Sequence, residues 1–216
     1  MRTKFTRLGR DFFAQPTLDV ARQLLGSRLV RVEQHEGQTR RIAGIIIETE
    51  AYCGEEDLGC HAKAGRTPRT EVMYGPPGHA YVYFTYGMHW LFNFVTRPEG
   101  QPEAVLLRAV HPTEGLDIVA ERRGHQPARL WTDGPAKVTQ AFGIDGQHNR
   151  LDLAAPEAII FVEPGEPVPD EWVTTGPRVG FFTVPEPWKS KPWRFLAHLP
   201  VIEASRTLLE ETHEPA

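Results

Sequence analysis

The chain has 216 residues, 40% of them hydrophobic and 24% charged, a globular mix that excludes wholesale disorder and suffices to bury a core. Nineteen glycines and nineteen prolines imply many turns and short elements, which argues against a helical bundle. The net charge of −4 by itself disfavours nucleic acid as a partner, but the charges are unevenly placed.

Arg2, Lys4, Arg7 and Arg10 make a basic N-terminal segment over residues 1–10. Arg178, Lys189, Lys191 and Arg194 are opposed only by Glu186 within 178–194, and residues 203–216 form an acidic tail. Thr17 is placed to cap a helix whose apolar stripe is Leu18, Ala21, Leu24 and Leu25, ended by Gly26. Residues 28–33 and 41–52 read as two strands of a hairpin, turning at 35–38. Residues 53–70 lack periodicity and read as a long polar loop. After the turn Pro76-Pro77-Gly78 come three strands, 79–86, 89–96 and 104–110, in an antiparallel meander. Glu114 to Arg123 reads as a helix stopped by Gly124. A second helix starts at Pro135, capped by Asp133 or Gly134, and ends before Gly143. Short strands are expected at 158–162, 178–184 and 193–198. The fold class is therefore α+β: a single domain over 1–216, with a curved, mainly antiparallel sheet flanked by helices.

No apolar run is long enough to span a bilayer, and the basic N-terminus lacks the apolar stretch of a secretory signal, so no membrane partner is expected. Two cysteines cannot build a disulfide framework, and the expected location is cytoplasmic. Cys53, Cys60 and His61 do not have zinc-finger spacing, and neither a glycine-rich nucleotide loop nor a nucleophile elbow occurs. No metal or other cofactor is expected.

Polar residues in apolar strands are more informative. In Ile47-Glu48-Thr49-Glu50-Ala51-Tyr52, alternation puts Glu48, Glu50 and Tyr52 on one face, with the carboxylates about 7 Å apart. One reading is a strand leaving the core with its acids in solvent; the other is a general base in a partly apolar cleft. Arg108, within Val105-Leu106-Leu107-Arg108-Ala109, needs an acidic partner if buried, and Glu48 or Glu50 would serve. Asn93 sits among Phe92, Phe94 and Val95, where a satisfied buried amide is the plain alternative to a role in a site. Tyr81 and Tyr83 share a strand face, and Tyr86 precedes Gly87-Met88 at a turn. Such tyrosines are usually filler, but platforms plus a projecting ring are also what holding and replacing an unstacked base requires.

These motifs resemble, in order, those of the alkyladenine (3-methyladenine) DNA glycosylases. The resemblance rests on Arg7-Leu8-Gly9 with Phe12-Phe13, the Glu-Thr-Glu-Ala-Tyr run at 48–52, residues 81–88, Val105 to Ala109, and Gly134-Pro135-Ala136-Lys137. It implies a monofunctional glycosylase that flips an alkylated or deaminated purine out of double-stranded DNA and leaves an abasic site. By the resemblance, Glu50 is the general base and Arg108 positions the attacking water. Tyr52, His61 and Tyr83 would sandwich the base, and Asn93 would obstruct the amino group of normal guanine. Tyr86 would fill the vacated stack, while Arg66, Met88 and Lys137 would contact the duplex. It also implies a monomer without cofactors, nucleoid-associated in a bacterium. The competing readings are a damage reader that does not cut, and an unrelated inverting glycoside hydrolase using Glu48 and Glu50.

Overall fold

The computed structural model describes residues 6–124, 126–198 and 200. Residues 1–5 of the basic N-terminal segment and the whole acidic tail, 203–216, lie outside the described residues.

The apolar-rich stretch between Arg28 and Cys53 forms the central hairpin. Strand β1 (Arg28–His35) pairs antiparallel with β2 (Gln38–Cys53), in a register from Arg28 opposite Ile45 to His35 opposite Gln38. The meander follows as expected, with β3 (Ala80–Thr85), β4 (His89–Thr96) and β5 (Glu103–Glu114). β5 docks on β2, and β6 (Ile160–Glu163) covers the far edge of β1, giving the order β3-β4-β5-β2-β1-β6. β2 outruns β1, and its free C-terminal half takes a further strand, β8 (Arg194–Ala197), which pairs with β7 (Val173–Gly176). All eight strands join in one sheet with antiparallel pairings.

One face of this sheet packs on helices. Ala51, Phe92, Phe94, Val105 and Leu107 join the main core together with Val20 and Ala21 of α2 (Thr17–Gln23) and Val138, Ala141 and Phe142 of α4 (Pro135–Phe142). The short α1 (Arg10–Phe13) adds Phe13, whose ring stacks on Phe94 at 5.8 Å. α3 (Leu116–Arg123) adds Ile118 and Val119. The opposite face of β2 to β5 is left for polar and aromatic side chains.

Three sequence expectations are corrected. Thr17 is not a cap: it is the first residue of α2, and its hydroxyl pairs instead with Thr96 and Glu103. Glu114 belongs to β5, so α3 starts later, after Gly115 in a left-handed conformation at φ +67°. Residues 178–184 contain no strand; β7 lies at 173–176, and the chain beyond it crosses the site as an irregular segment. The reason is visible in its hydrogen bonds: Arg178 and Val179 are committed to side chains and backbone of the site, not to a ladder.

Candidate active site

A single cross-strand row organises the site. Tyr81 lies opposite Asn93, Asn93 opposite Leu106, Leu106 opposite Glu50 and Glu50 opposite Arg194, so five strands present these side chains on one face. The second row, Tyr83 opposite Leu91, flanks the first. Where β2 meets β5, the ladder passes from Ile46–Val110 to Glu48–Ala109 and then to Thr49–Leu107. Ile47 and Arg108 are each skipped. Such irregularities re-aim side chains, and here Arg108 reaches back across to the two carboxylates.

Both carboxylates are buried, which overturns the reading of a strand whose acids face solvent. Glu48 is 6% exposed and Glu50 is 0% exposed. Arg108 Nε lies 3.0 Å from Glu48 Oε1 and 3.4 Å from Glu50 Oε1, so it pairs with both. Their surroundings differ. Glu48 also accepts from Arg194 Nε at 2.5 Å and so sits between two guanidinium groups. Glu50 accepts from the Val179 backbone N–H at 2.7 Å and from the Tyr52 hydroxyl at 2.9 Å. Burial pushes the Glu50 carboxyl above its ordinary range. Arg108, the Val179 N–H and the Tyr52 hydroxyl oppose that push, and Glu48 adds to it. A buried carboxylate with raised proton affinity that is still held by two hydrogen bonds and a neighbouring guanidinium suits a general base.

In front of Glu50 opens a cavity of about 340 Å³ whose lining includes Tyr52, His61, Tyr83, Asn93 and Arg108. The His61 and Tyr83 rings meet edge to face at 4.6 Å, and His61 Nδ1 is 2.8 Å from the Tyr81 hydroxyl. Burial, with Arg69 and Lys63 nearby, lowers the His61 pKa to about 4, so the ring is neutral at physiological pH. Asn93 donates from its amide nitrogen to the Tyr81 carbonyl at 3.0 Å, which fixes the side chain in the cavity wall.

Tyr86 also borders the cavity, yet 87% of it is exposed. It and Gly87 occupy the turn between β3 and β4 with φ of +52° and +67°, closed by the Met88 N–H to the Thr85 carbonyl at 3.2 Å. A non-glycine residue in that region costs about 1–2 kcal/mol. This conformation places a large ring at the tip of the hairpin. Met88, 67% exposed, stands beside it.

Seven of the ten residues singled out from the sequence thus meet at one cavity: Glu50, Tyr52, His61, Tyr83, Tyr86, Asn93 and Arg108. The other three are not in its lining. Met88 shares the hairpin tip, and Lys137 follows Pro135, a lining residue, in the first turn of α4. Lys137 is paired with Asp133 at 2.7 Å. Arg66 forms a two-pronged pair with Glu71 and lies over the Tyr74 ring.

The sequence reading missed Asp57 and Arg178. Their side chains are wholly buried, and the guanidinium donates to both Asp57 oxygens and to the Ala51 carbonyl. The guanidinium carbon is 4.8 Å from the Tyr52 ring centroid and 4.3 Å from that of Phe181. This pair anchors the segment that brings the Val179 N–H to Glu50. Nothing local could reveal partners 121 residues apart. Cys53 and Cys60 are thiols that burial pushes to about 12, and no cluster of potential metal ligands occurs among the described residues.

A buried, multiply held carboxylate beneath an aromatic cavity, with an exposed ring on its rim, is compatible with hydrolysis of a planar aromatic substrate. The comparisons with known proteins agree. The family model for methylpurine-DNA glycosylase matches residues 11–199, and the chain belongs to that family. It is therefore a DNA glycosylase, an enzyme of DNA repair that hydrolyses N-glycosyl bonds. A relative from Myxococcus xanthus is 49% identical over 87% of this chain and 88% of its own length. Others from Carboxydothermus hydrogenoformans and Chlorobaculum parvum are 46% and 42% identical, covering 87% and 93% of this chain and 93% and 92% of their own lengths. All three carry the name "Putative 3-methyladenine DNA glycosylase".

Proposed function

We propose that the enzyme excises alkylated and deaminated purines from double-stranded DNA by flipping the damaged nucleotide into the cavity. Glu50 accepts a proton from a water molecule as its oxygen bonds to C1′. The electron pair of the breaking N-glycosyl bond passes to the departing base, and an abasic site remains. An alkylated purine that carries positive charge leaves neutral and needs no proton, whereas a neutral deaminated purine leaves as its anion and takes a proton from water. The observation that carries this reading is the enclosure of Glu50 at the cavity, held by Val179, Tyr52 and Arg108.

The rings of Tyr52, Tyr83 and His61 supply stacking surface, worth about 1–3 kcal/mol per base, against a flipping cost of a few kcal/mol. Neutral His61 stacks against a cationic base without charge repulsion. Asn93 crowds the exocyclic amine of guanine, a cost that 7-methylguanine, with the same amine, offsets through the weaker N-glycosyl bond of its positively charged ring, and Tyr86 takes the place of the flipped base. Met88, Lys137 and Arg66 contact the duplex; for Lys137 and Arg66 this means exchanging Asp133 and Glu71 for phosphate.

The inverting glycoside hydrolase is disfavoured by Glu48. That mechanism needs a second acid aimed at the same bond, whereas Glu48 is occupied by Arg108 and Arg194. The test is a panel of duplex oligonucleotides, each with one lesion, followed by alkaline cleavage of abasic sites. Release of 3-methyladenine, 7-methylguanine or hypoxanthine is expected; binding without release would favour the damage reader.

A further inference from the structure

Among the aromatic residues lining the cavity, Phe181 belongs neither to the motifs nor to the roles that the resemblance implies. We infer that Phe181 is a size-limiting wall of the lesion pocket, and that a base too large to pass it also disturbs Glu50; this rests on the reading of the cavity as the lesion site.

Phe181 lines the cavity from the irregular segment after β7, whereas Tyr52, Tyr83 and His61 come from β2, β3 and the 3-10 turn His61–Ala64. Three contacts hold its ring. The Arg178 guanidinium lies over it, 4.3 Å from the centroid. The Tyr52 ring meets it at 6.1 Å with an interplanar angle of 71°. Gly59 receives its edge. A Cβ built on Gly59 would lie 2.1 Å from Phe181 Cε2, 2.4 Å from Cζ and 2.9 Å from Arg178 Nη2. Such distances are impossible between real atoms, so close approach of the ring calls for glycine there.

This wall cannot yield easily. Arg178 is itself clamped by Asp57 and the Ala51 carbonyl within a fully buried pair, so neither the ring's support nor its socket is soft. The next residue, Phe182, is 86% exposed. The segment therefore commits one phenylalanine to the cavity and leaves the other in solvent. Two residues before Phe181, the Val179 N–H donates to Glu50 Oε1 at 2.7 Å. A base that pushes Phe181 outward pulls on that donor through Gly180. The size of the base then reaches the chemical step as well as the binding step. A hydrophobic pocket distinguishes ligands differing by one methylene by about tenfold or more, and a fused ring is a larger difference.

The experiment compares single-turnover release of 7-methylguanine and of ethenoadenine, a purine with an added fused ring, from otherwise identical duplexes. Wild type, Phe181→Ala and Phe181→Leu are used, with thermal melts to confirm folding. Phe181→Ala is expected to raise the ethenoadenine to 7-methylguanine rate ratio by about tenfold, with Phe181→Leu in between. Equal loss on both lesions, leaving the ratio unchanged in a folded variant, would overturn the inference and leave the glycosylase reading standing. If Phe181→Ala fails to fold, the ratio for Phe181→Leu decides in the same way. Failure of wild type to release either base would instead remove the lesion-site reading, and this inference with it.

Discussion

Removing the Tyr52 hydroxyl separates the two duties given to that residue. Tyr52→Phe keeps the ring, its contacts with Phe181 and Arg178, and its share of stacking. It deletes one of the two hydrogen bonds to Glu50, at 2.9 Å, and leaves the other from the Val179 N–H. A hydrogen bond to a charged group contributes about 1.5–3 kcal/mol. Its loss moves the acid limb of the pH–rate profile to higher pH, by the part of that energy that the protonated carboxyl does not share. The sign follows from what the hydroxyl does: it stabilises the carboxylate form, so without it Glu50 holds its proton to higher pH. Single-turnover release of a cationic lesion, measured across the pH range, reads this directly. The variant should lose rate at the acidic end and recover it as pH rises, with lesion affinity unchanged. An unmoved acid limb together with weakened binding would leave Tyr52 with stacking alone and no part in holding the Glu50 charge.

Glu48→Gln should melt lower, by toward the low end of the about 3–5 kcal/mol typical when one partner of a buried pair is removed. The glutamine oxygen still accepts one bond, and the Arg194 side chain is 33% exposed. Base release should largely survive; a loss as complete as that from removing the Glu50 charge would end the proposed asymmetry between the carboxylates. His61 should titrate in an NMR experiment near pH 4, with an ordinary value near 6.5 contradicting its burial. Because its folded pKa lies below the unfolded one, its contribution to stability is complete above the unfolded value and lost as pH falls through the folded one. Tyr86→Ala should flip less base, most severely for a well-paired lesion, as read by 2-aminopurine placed beside it. Flipping equal to wild type would make the ring irrelevant to the exchange.

The legible parts of the fold were those governed by alternation and punctuation. The hairpin of β1 and β2, the meander β3 to β5 and the α4 helix between Gly134 and Gly143 follow from local pattern. The site was legible where a polar residue interrupted that pattern, as at Glu48, Glu50, Asn93 and Arg108. Its illegible parts rest on long-range contact. The Asp57–Arg178 pair spans 121 residues, and Glu48–Arg194 spans 146. The paired skips at Ile47 and Arg108 arise only when β2 and β5 meet. Apolar residues at 178–184 suggest a strand, but Arg178 and Val179 donate to Asp57, Ala51 and Glu50 instead of to a ladder. The role roster itself, from stacking walls to wedge, came from the resemblance to a family, not from periodicity.

Glu50→Gln distinguishes a general base from a carboxylate that is merely buried. Glutamine preserves size and can still accept from the Val179 N–H, but it cannot take the proton of the attacking water. The measurement is single-turnover release of 7-methylguanine from duplex DNA at neutral pH, paired with lesion binding by the same preparation. Release should fall to the level of protein-free DNA while binding stays close to wild type. Release at the wild-type rate by a variant that still binds the lesion would contradict the role of Glu50 as general base.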